Sequence, residues 1–162
     1  MAPKLILMGT GIRDLSQMTV ETVKALQACD LVFSLHGDPA VTRSLRDLAR
    51  KVIDLTPLYR DRQLDLAVYR AIVDRVTRQL TGRRTVAVIF HGHPLLYSNP
   101  AQMLIKYCAE RKIENEILSG VSSLDAIFTA LKLDVGSTGL QAFDVNRLLL
   151  YRLKPSLHTP CL

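Results

Sequence analysis

Short runs of apolar residues alternate with longer stretches in which apolar positions recur every three or four residues. Leu5–Met8 is an uninterrupted apolar run ended by Gly9-Thr10-Gly11, the pattern of a buried strand leaving a sheet. Thr19 stands where a helix cap belongs, with Glu21 in the first turn of a helix to about Ala28. Leu31–Leu35 reads as a second strand and His36-Gly37-Asp38-Pro39 as its turn; a helix over about 41–50 and a short strand at 52–53 follow. Leu64, Val68, Ile72, Val76 and Leu80 repeat at helical spacing, and Gly82 is placed to end that helix. Thr85–Phe90 is apolar and β-branched, as a central parallel strand requires. Pro100 suits the first turn of a helix to about Arg111, Glu116–Leu118 reads as a strand, and a helix over about 122–131 closes the series.

Strand and helix alternate throughout, so the expected fold class is α/β: an open, mostly parallel sheet with helices on both faces. We expect this domain to occupy 1–120. From 121 we expect a linking helix and the incomplete start of a second α/β domain, because the apolar runs Leu140–Phe143 and Leu148–Leu153 find few partners in the remaining sequence. The expectation is a chain that is either part of a longer protein or completed by a partner. A second copy covering Leu148–Leu153 would make a homodimer.

Composition narrows the class. The 162 residues are 48% apolar, too many for a disordered tail, and no apolar run approaches the ~20 residues of a membrane helix. Three cysteines in no CxxC pair argue against a disulfide framework, and the reading is a cytoplasmic protein away from membranes. The net charge of +6 is concentrated: seven arginines and three aspartates lie between Arg60 and Arg84. Such a patch could meet RNA or an acidic peptide. Arg70, Asp74 and Arg78, spaced by four, equally suit an ion-pair row on a solvated helix face, and no interleaved aromatic residues favour nucleic acid.

Ligands of open parallel sheets bind beyond the carboxyl ends of the strands, where Gly9, Gly11, Gly92 and Gly120 fall. Glycine there lets backbone approach a ligand. The first loop is no dinucleotide fingerprint, since Asp14 occupies the third glycine position, and no P-loop occurs. His91 and His93, two apart, would project alike from a strand, but no third metal ligand accompanies them, so no metal is expected. Ser122 and Ser123 either cap a helix or present a hydroxyl to a ligand. Tyr59 and Tyr69 flank the start of the long helix.

Leu5–Asp14, Thr19–Phe33, the segment Gly92-His93-Pro94-Leu95-Leu96-Tyr97 and the turn Ser119–Ser123, in this order, resemble the tetrapyrrole methylase superfamily of S-adenosylmethionine-dependent methyltransferases. The second glycine segment is similar to that family's G-D-P-x-x-Y motif with His93 for Asp, and Ser119 stands for the Pro of the later turn. With the GHP form and the stretch from Ser122 to Leu149, the chain is most similar to the methyltransferase domains of borosins, which N-methylate backbone amides of a precursor peptide. It also resembles the methylase-like domain fused to MazG-type pyrophosphatases.

The resemblance implies S-adenosylmethionine as cofactor, S-adenosylhomocysteine as product, a peptide substrate and a dimer. It implies cofactor contacts at Gly92, His93, Leu96, Ser98 and Ser122, with Gln141 and Ala142 from the second domain. A Tyr–Arg–Tyr group implicated in amide methylation maps to Tyr59, Asp65 and Tyr69, and the tyrosine before GHP maps to His91. Arg62 is the nearest arginine to the substituted position, which makes Tyr59, Tyr69, Arg62 and His91 the candidate catalytic set. A SAM-binding module without catalysis, and a tetrapyrrole or rRNA methyltransferase, are the alternatives.

Overall fold

The computed structural model describes residues 2–59 and 65–162. They divide into two compact units, 1–123 and 124–162; the break falls three residues past the expected Gly120.

The first unit holds strands β1 (Lys4–Gly9), β2 (Leu31–Leu35), β3 (Val52–Asp54), β4 (Thr85–Phe90) and β5 (Glu114–Ile117) in one sheet, ordered β3-β2-β4-β1-β5, with every pair parallel. Helices α1 (Val20–Ala28), α2 (Pro39–Leu48), α3 (Asp65–Thr77 as described) and α4 (Asn99–Arg111) make the crossovers. The apolar strand runs have a direct cause. Leu5, Leu7, Phe33, Val86 and Val88 pack on one face with Val68, Ile72 and Val76 of α3 and Leu104 of α4. Their neighbours Ile6, Met8, Val32, Ala87 and Ile89 pack on the other face with Leu26 of α1 and Val41 and Leu45 of α2. Because successive side chains alternate and both faces are covered, every position must be apolar.

Caps set the helix starts. Thr19 accepts the Thr22 amide, Asp38 the Ala40 amide, and Ser98 the Ala101 amide. The Asp38 cap places Pro39 in the first turn of α2, so that helix begins two residues before the expected 41. α3 ends at Thr77, not at Gly82. Its last turn tightens, with Gln79 and Leu80 amides donating to Val76 and Thr77 carbonyls, and Leu80 is buried from the connecting turn. Gly82, at φ 62°, serves the following turn into β4. The expected ion-pair row is absent: among the described residues no ion pair joins Asp74 to Arg70 or Arg78. Leu64 lies outside the described residues.

Connections from β1 and β2 lead to helices on one face, and that from β4 leads to α4 on the other. The carboxyl end of β4, between those two strands, is therefore the place where neighbouring loops part and leave a crevice.

The second unit contains most of α5 (Ser123–Leu131), then α6 (Val145–Leu150) and an isolated parallel bridge between Gln141 and Cys161. The apolar run at Leu148 is helical at its start, and Leu149, Leu150 and Tyr151 are exposed. Among the described residues no helix is long and apolar enough to cross a membrane, and Cys29, Cys108 and Cys161 are free thiols.

Candidate active site

Three loops meet beyond the strand ends. The Gly92 amide donates to the Gly11 carbonyl at 2.9 Å, and the Thr10 amide to Phe90 at 2.9 Å, which ties the β1 and β4 loops together. Gln17 shapes the first loop, its Oε1 accepting the Ile12 and Arg13 amides at 2.8 and 2.9 Å. Gly9, Gly92 and Gly120 pack on one another. A Cβ at Gly9 would overlap the Gly92 carbonyl, and one at Gly120 would lie 2.8 Å from the same oxygen. The expectation that these glycines make room for a ligand is thus modified: at Gly9 and Gly120 the room is taken by neighbouring backbone. Gly92, at φ 77°, turns the chain sharply after β4.

That turn ends the strand alternation, so His91 and His93 do not project as a strand pair. The Nε2 of His91 lies 2.9 Å from the Ile12 carbonyl. Since a carbonyl can only accept, Nε2 carries the proton in the neutral ring and Nδ1 is left as an acceptor. The Nδ1 of His93 accepts the Leu95 amide at 3.1 Å. His36, which follows β2, meets His91 edge to face with ring centroids 4.6 Å apart. It is buried, its Nδ1 accepts the Asp38 amide at 3.1 Å, and its Nε2 has no partner among the described residues. Burial, then the neighbouring His91, holds the His36 pKa below its ordinary value.

The opposite wall begins at β3. Asp54 Oδ1 accepts both the amide and the hydroxyl of Thr56, at 2.8 and 2.7 Å, and so folds Thr56–Leu58 into a short 3-10 turn. That turn delivers Tyr59, whose amide donates to Thr56 at 2.9 Å. Tyr69 comes from the first turns of α3. Both tyrosines line a cavity of about 190 Å3 with Leu35, Phe90, His91, His93, Leu96, Tyr97 and Ser98. Burial, then Tyr69 and Asp65, raises the Tyr59 pKa, so this phenol stays protonated at neutral pH.

The fold therefore gathers Tyr59, Tyr69, His91, His93, Leu96 and Ser98, which come from three separate stretches of sequence. Tyr97, the last residue of the Gly92–Tyr97 segment, was not among the expected site residues. It lines the cavity with φ at 53°, a left-handed conformation rare for a bulky residue. Ser98 doubles as the α4 cap. Gly92 lies between the two histidines with its backbone engaged, and Ser122 is buried in the loop after β5. Arg62 lies outside the described residues. In the second unit, the Gln141 side chain donates to the Ser156 and Thr159 carbonyls and accepts the Ser156 amide; Ala142 is exposed. No group of three potential metal ligands assembles among the described residues.

The sequence profile of the tetrapyrrole (corrin/porphyrin) methylases matches residues 4–158. The chain belongs to the tetrapyrrole methylase family. It is similar to a methyltransferase/ribosomally synthesized type III borosin cyclic peptide precursor of Anomoporia bombycina, 27% identical across 96% of this chain and 18% of that one. It is also similar to a methyltransferase/omphalotin A precursor of Omphalotus olearius, 25% identical across 98% of this chain and 38% of that one. The chain thus spans well under half the length of these relatives. Among solved structures, uroporphyrin-III C-methyltransferase from Thermus thermophilus superposes with a TM-score of 0.61 at 20% identity, covering 88% of this chain and 60% of that one. A cobalt precorrin-4 methyltransferase gives 0.59 at 20% identity, covering 86% and 56%. These two share the fold of this chain.

Proposed function

We propose that this methylase takes part in S-adenosylmethionine-dependent methylation of backbone amides in a peptide, as a cytoplasmic homodimer. The observation that carries the reading is the cavity at the end of β4, where Tyr59, Tyr69 and His91 stand together beside His93, Leu96 and Ser98. The pairing of methyltransferase with cyclic peptide precursor in the names of its relatives supports the peptide as acceptor.

The lining suits the chemistry. Among the described residues it contains aromatic rings, hydroxyls and imidazoles, with no Lys, Arg, Asp or Glu, and aromatic faces attract a sulfonium cation that a lysine would repel. Gly92, His93, Leu96, Ser98 and Ser122 would hold the cofactor. When bound, the cofactor supplies an electrophilic methyl group. At about 190 Å3 the cavity is smaller than the ~300–1,000 Å3 of complete ligand sites. It has the size for the reacting ends of two molecules.

An amide nitrogen is a poor nucleophile until its proton leaves or its carbonyl is polarised. Tyr59, held protonated, is suited to donate a hydrogen bond to the amide carbonyl oxygen. His91, with Nε2–H directed to Ile12, offers Nδ1 as the acceptor of the amide proton. Tyr69 lies across the same cavity to orient either group, and Arg62 remains the candidate for further charge stabilisation. The exposed Leu149, Leu150 and Leu157 support a second copy as the cover for the α6 region.

The test is incubation of the 162-residue chain with S-adenosylmethionine and a precursor-type peptide, read by fragmentation mass spectrometry. Methyl groups on backbone nitrogens, lost in Tyr69→Phe and His91→Ala, are expected. Cofactor binding by calorimetry with no methylated product would instead support a binding module. Methylation of a tetrapyrrole or RNA in place of the peptide would refute the acceptor.

A further inference from the structure

A larger cavity, about 610 Å3, opens at the other end of the sheet, against the amino ends of the strands. Its walls include Asp30 at the start of β2, Lys51 before β3, Arg84 before β4, and Arg75, Arg78 and Gln79 at the end of α3. Four cationic side chains thus face a single carboxylate. That carboxylate is engaged: Asp30 Oδ2 accepts the Thr85 amide at 2.9 Å, and Oδ1 is 3.5 Å from Arg50 outside the cavity lining. Arg84 is steadied by Gln79 Oε1 at 2.7 Å. Among the described residues, Lys51, Arg75 and Arg78 have no carboxylate within ion-pair distance.

Among the described residues Asp74 therefore does not neutralise Arg78 along the chain as their spacing suggests. Arg75 and Arg78, three apart and on one face, turn with Lys51 and Arg84 onto a shared concavity. Gathering like charges costs free energy that a bound anion removes. Guanidinium groups match phosphate oxygens in pairs. The volume lies within the ~300–1,000 Å3 of small-molecule sites. The one aromatic residue in the lining, Phe33, is 1% exposed, so no ring is available on which a base would stack.

We propose that this cavity binds a compact polyanion with at least two linked phosphoryl groups, either a free polyphosphate or the phosphate tail of a nucleotide. The ligand would be recognised through its anionic oxygens by Lys51, Arg75, Arg78 and Arg84. The test is calorimetric titration of the 162-residue chain with inorganic tripolyphosphate and, separately, with ATP, at low and at physiological salt. Saturable binding that weakens with salt is expected, with roughly a tenfold loss of affinity for each of Arg75→Gln and Arg78→Gln. Arg70→Gln, on the same helix but outside the cavity, should leave it unchanged. Equal affinity for both probes would identify the polyphosphate as the whole epitope, and tighter ATP binding would identify a nucleotide. No saturable binding at ~1 mM probe, well above the range of specific sites, would overturn the proposal, as would retention of affinity in the double variant. Tighter, arginine-dependent binding of a single-stranded oligonucleotide lacking a terminal triphosphate would replace it with a nucleic-acid surface.

Discussion

Replacing Gly9 with alanine tests the glycine packing under the candidate active site. The new Cβ would overlap the Gly92 carbonyl oxygen and lie 3.0 Å from its carbon and 3.3 Å from Gly120 Cα. All three are backbone atoms, so no side chain can rotate away. Relief requires the β4 or β5 loop to move, which threatens the Gly92–Gly11 and Leu118–Leu7 hydrogen bonds, of 2.9 and 2.8 Å. Overpacking costs about 1–3 kcal/mol and each bond about 1 kcal/mol, offset by about 0.4–1 kcal/mol from a stiffer unfolded chain. The expected net loss is therefore about 2–4 kcal/mol. Gly37→Ala is the matched control, because a Cβ there meets nothing within 4 Å and the backbone needs no positive φ. It should be neutral or stabilise by up to ~1 kcal/mol through the unfolded state alone. Urea denaturation followed by far-ultraviolet circular dichroism measures both as midpoint shifts at constant slope. Stabilities of the two variants agreeing within ~0.5 kcal/mol would refute the claim that backbone contact, not ligand access, demands glycine at position 9.

His36 gives a pH dependence. Its folded pKa lies below the unfolded value of 6.5 because of burial and then His91, so the unfolded state takes up the proton first. Its contribution to stability is fully present above pH ~6.5 and is lost as pH falls below that value and through the lower folded pKa. His36→Asn, which keeps an acceptor for the Asp38 amide, should show a smaller fall in denaturation midpoint between pH 7.5 and 5.5, about one unit either side of the ordinary histidine value. Leu104→Ala, at a fully buried position between α4 and the sheet, should cost about 2–5 kcal/mol by denaturant titration. Ser98→Ala removes a long 3.4 Å cap bond and should cost only about 0.5–1 kcal/mol in the same assay. A much larger fall in cofactor affinity for Ser98→Ala would separate the ligand role of Ser98 from its capping role.

The five strands and four crossover helices were legible in the sequence because each rests on local chemistry. A strand covered on both faces must be apolar at every position, as in β1 and β4. A cap must carry a short polar side chain beside its helix, as Thr19 and Ser98 do. The glycine turns and the GHP segment were visible for the same reason, and they carry the family likeness. Sequence separation hid the rest. The end of α3 was misplaced because Leu80 is buried from a turn as readily as from a helix. Tertiary contact alone brought Tyr59 and Tyr69 to His91 and left the Nε2 of His36 without a partner among the described residues. It alone left Arg70, Asp74 and Arg78 without the ion-pair row their spacing suggests. Periodicity constrains which face a residue occupies; what lies across from that face depends on strand order, which only the assembled sheet decides.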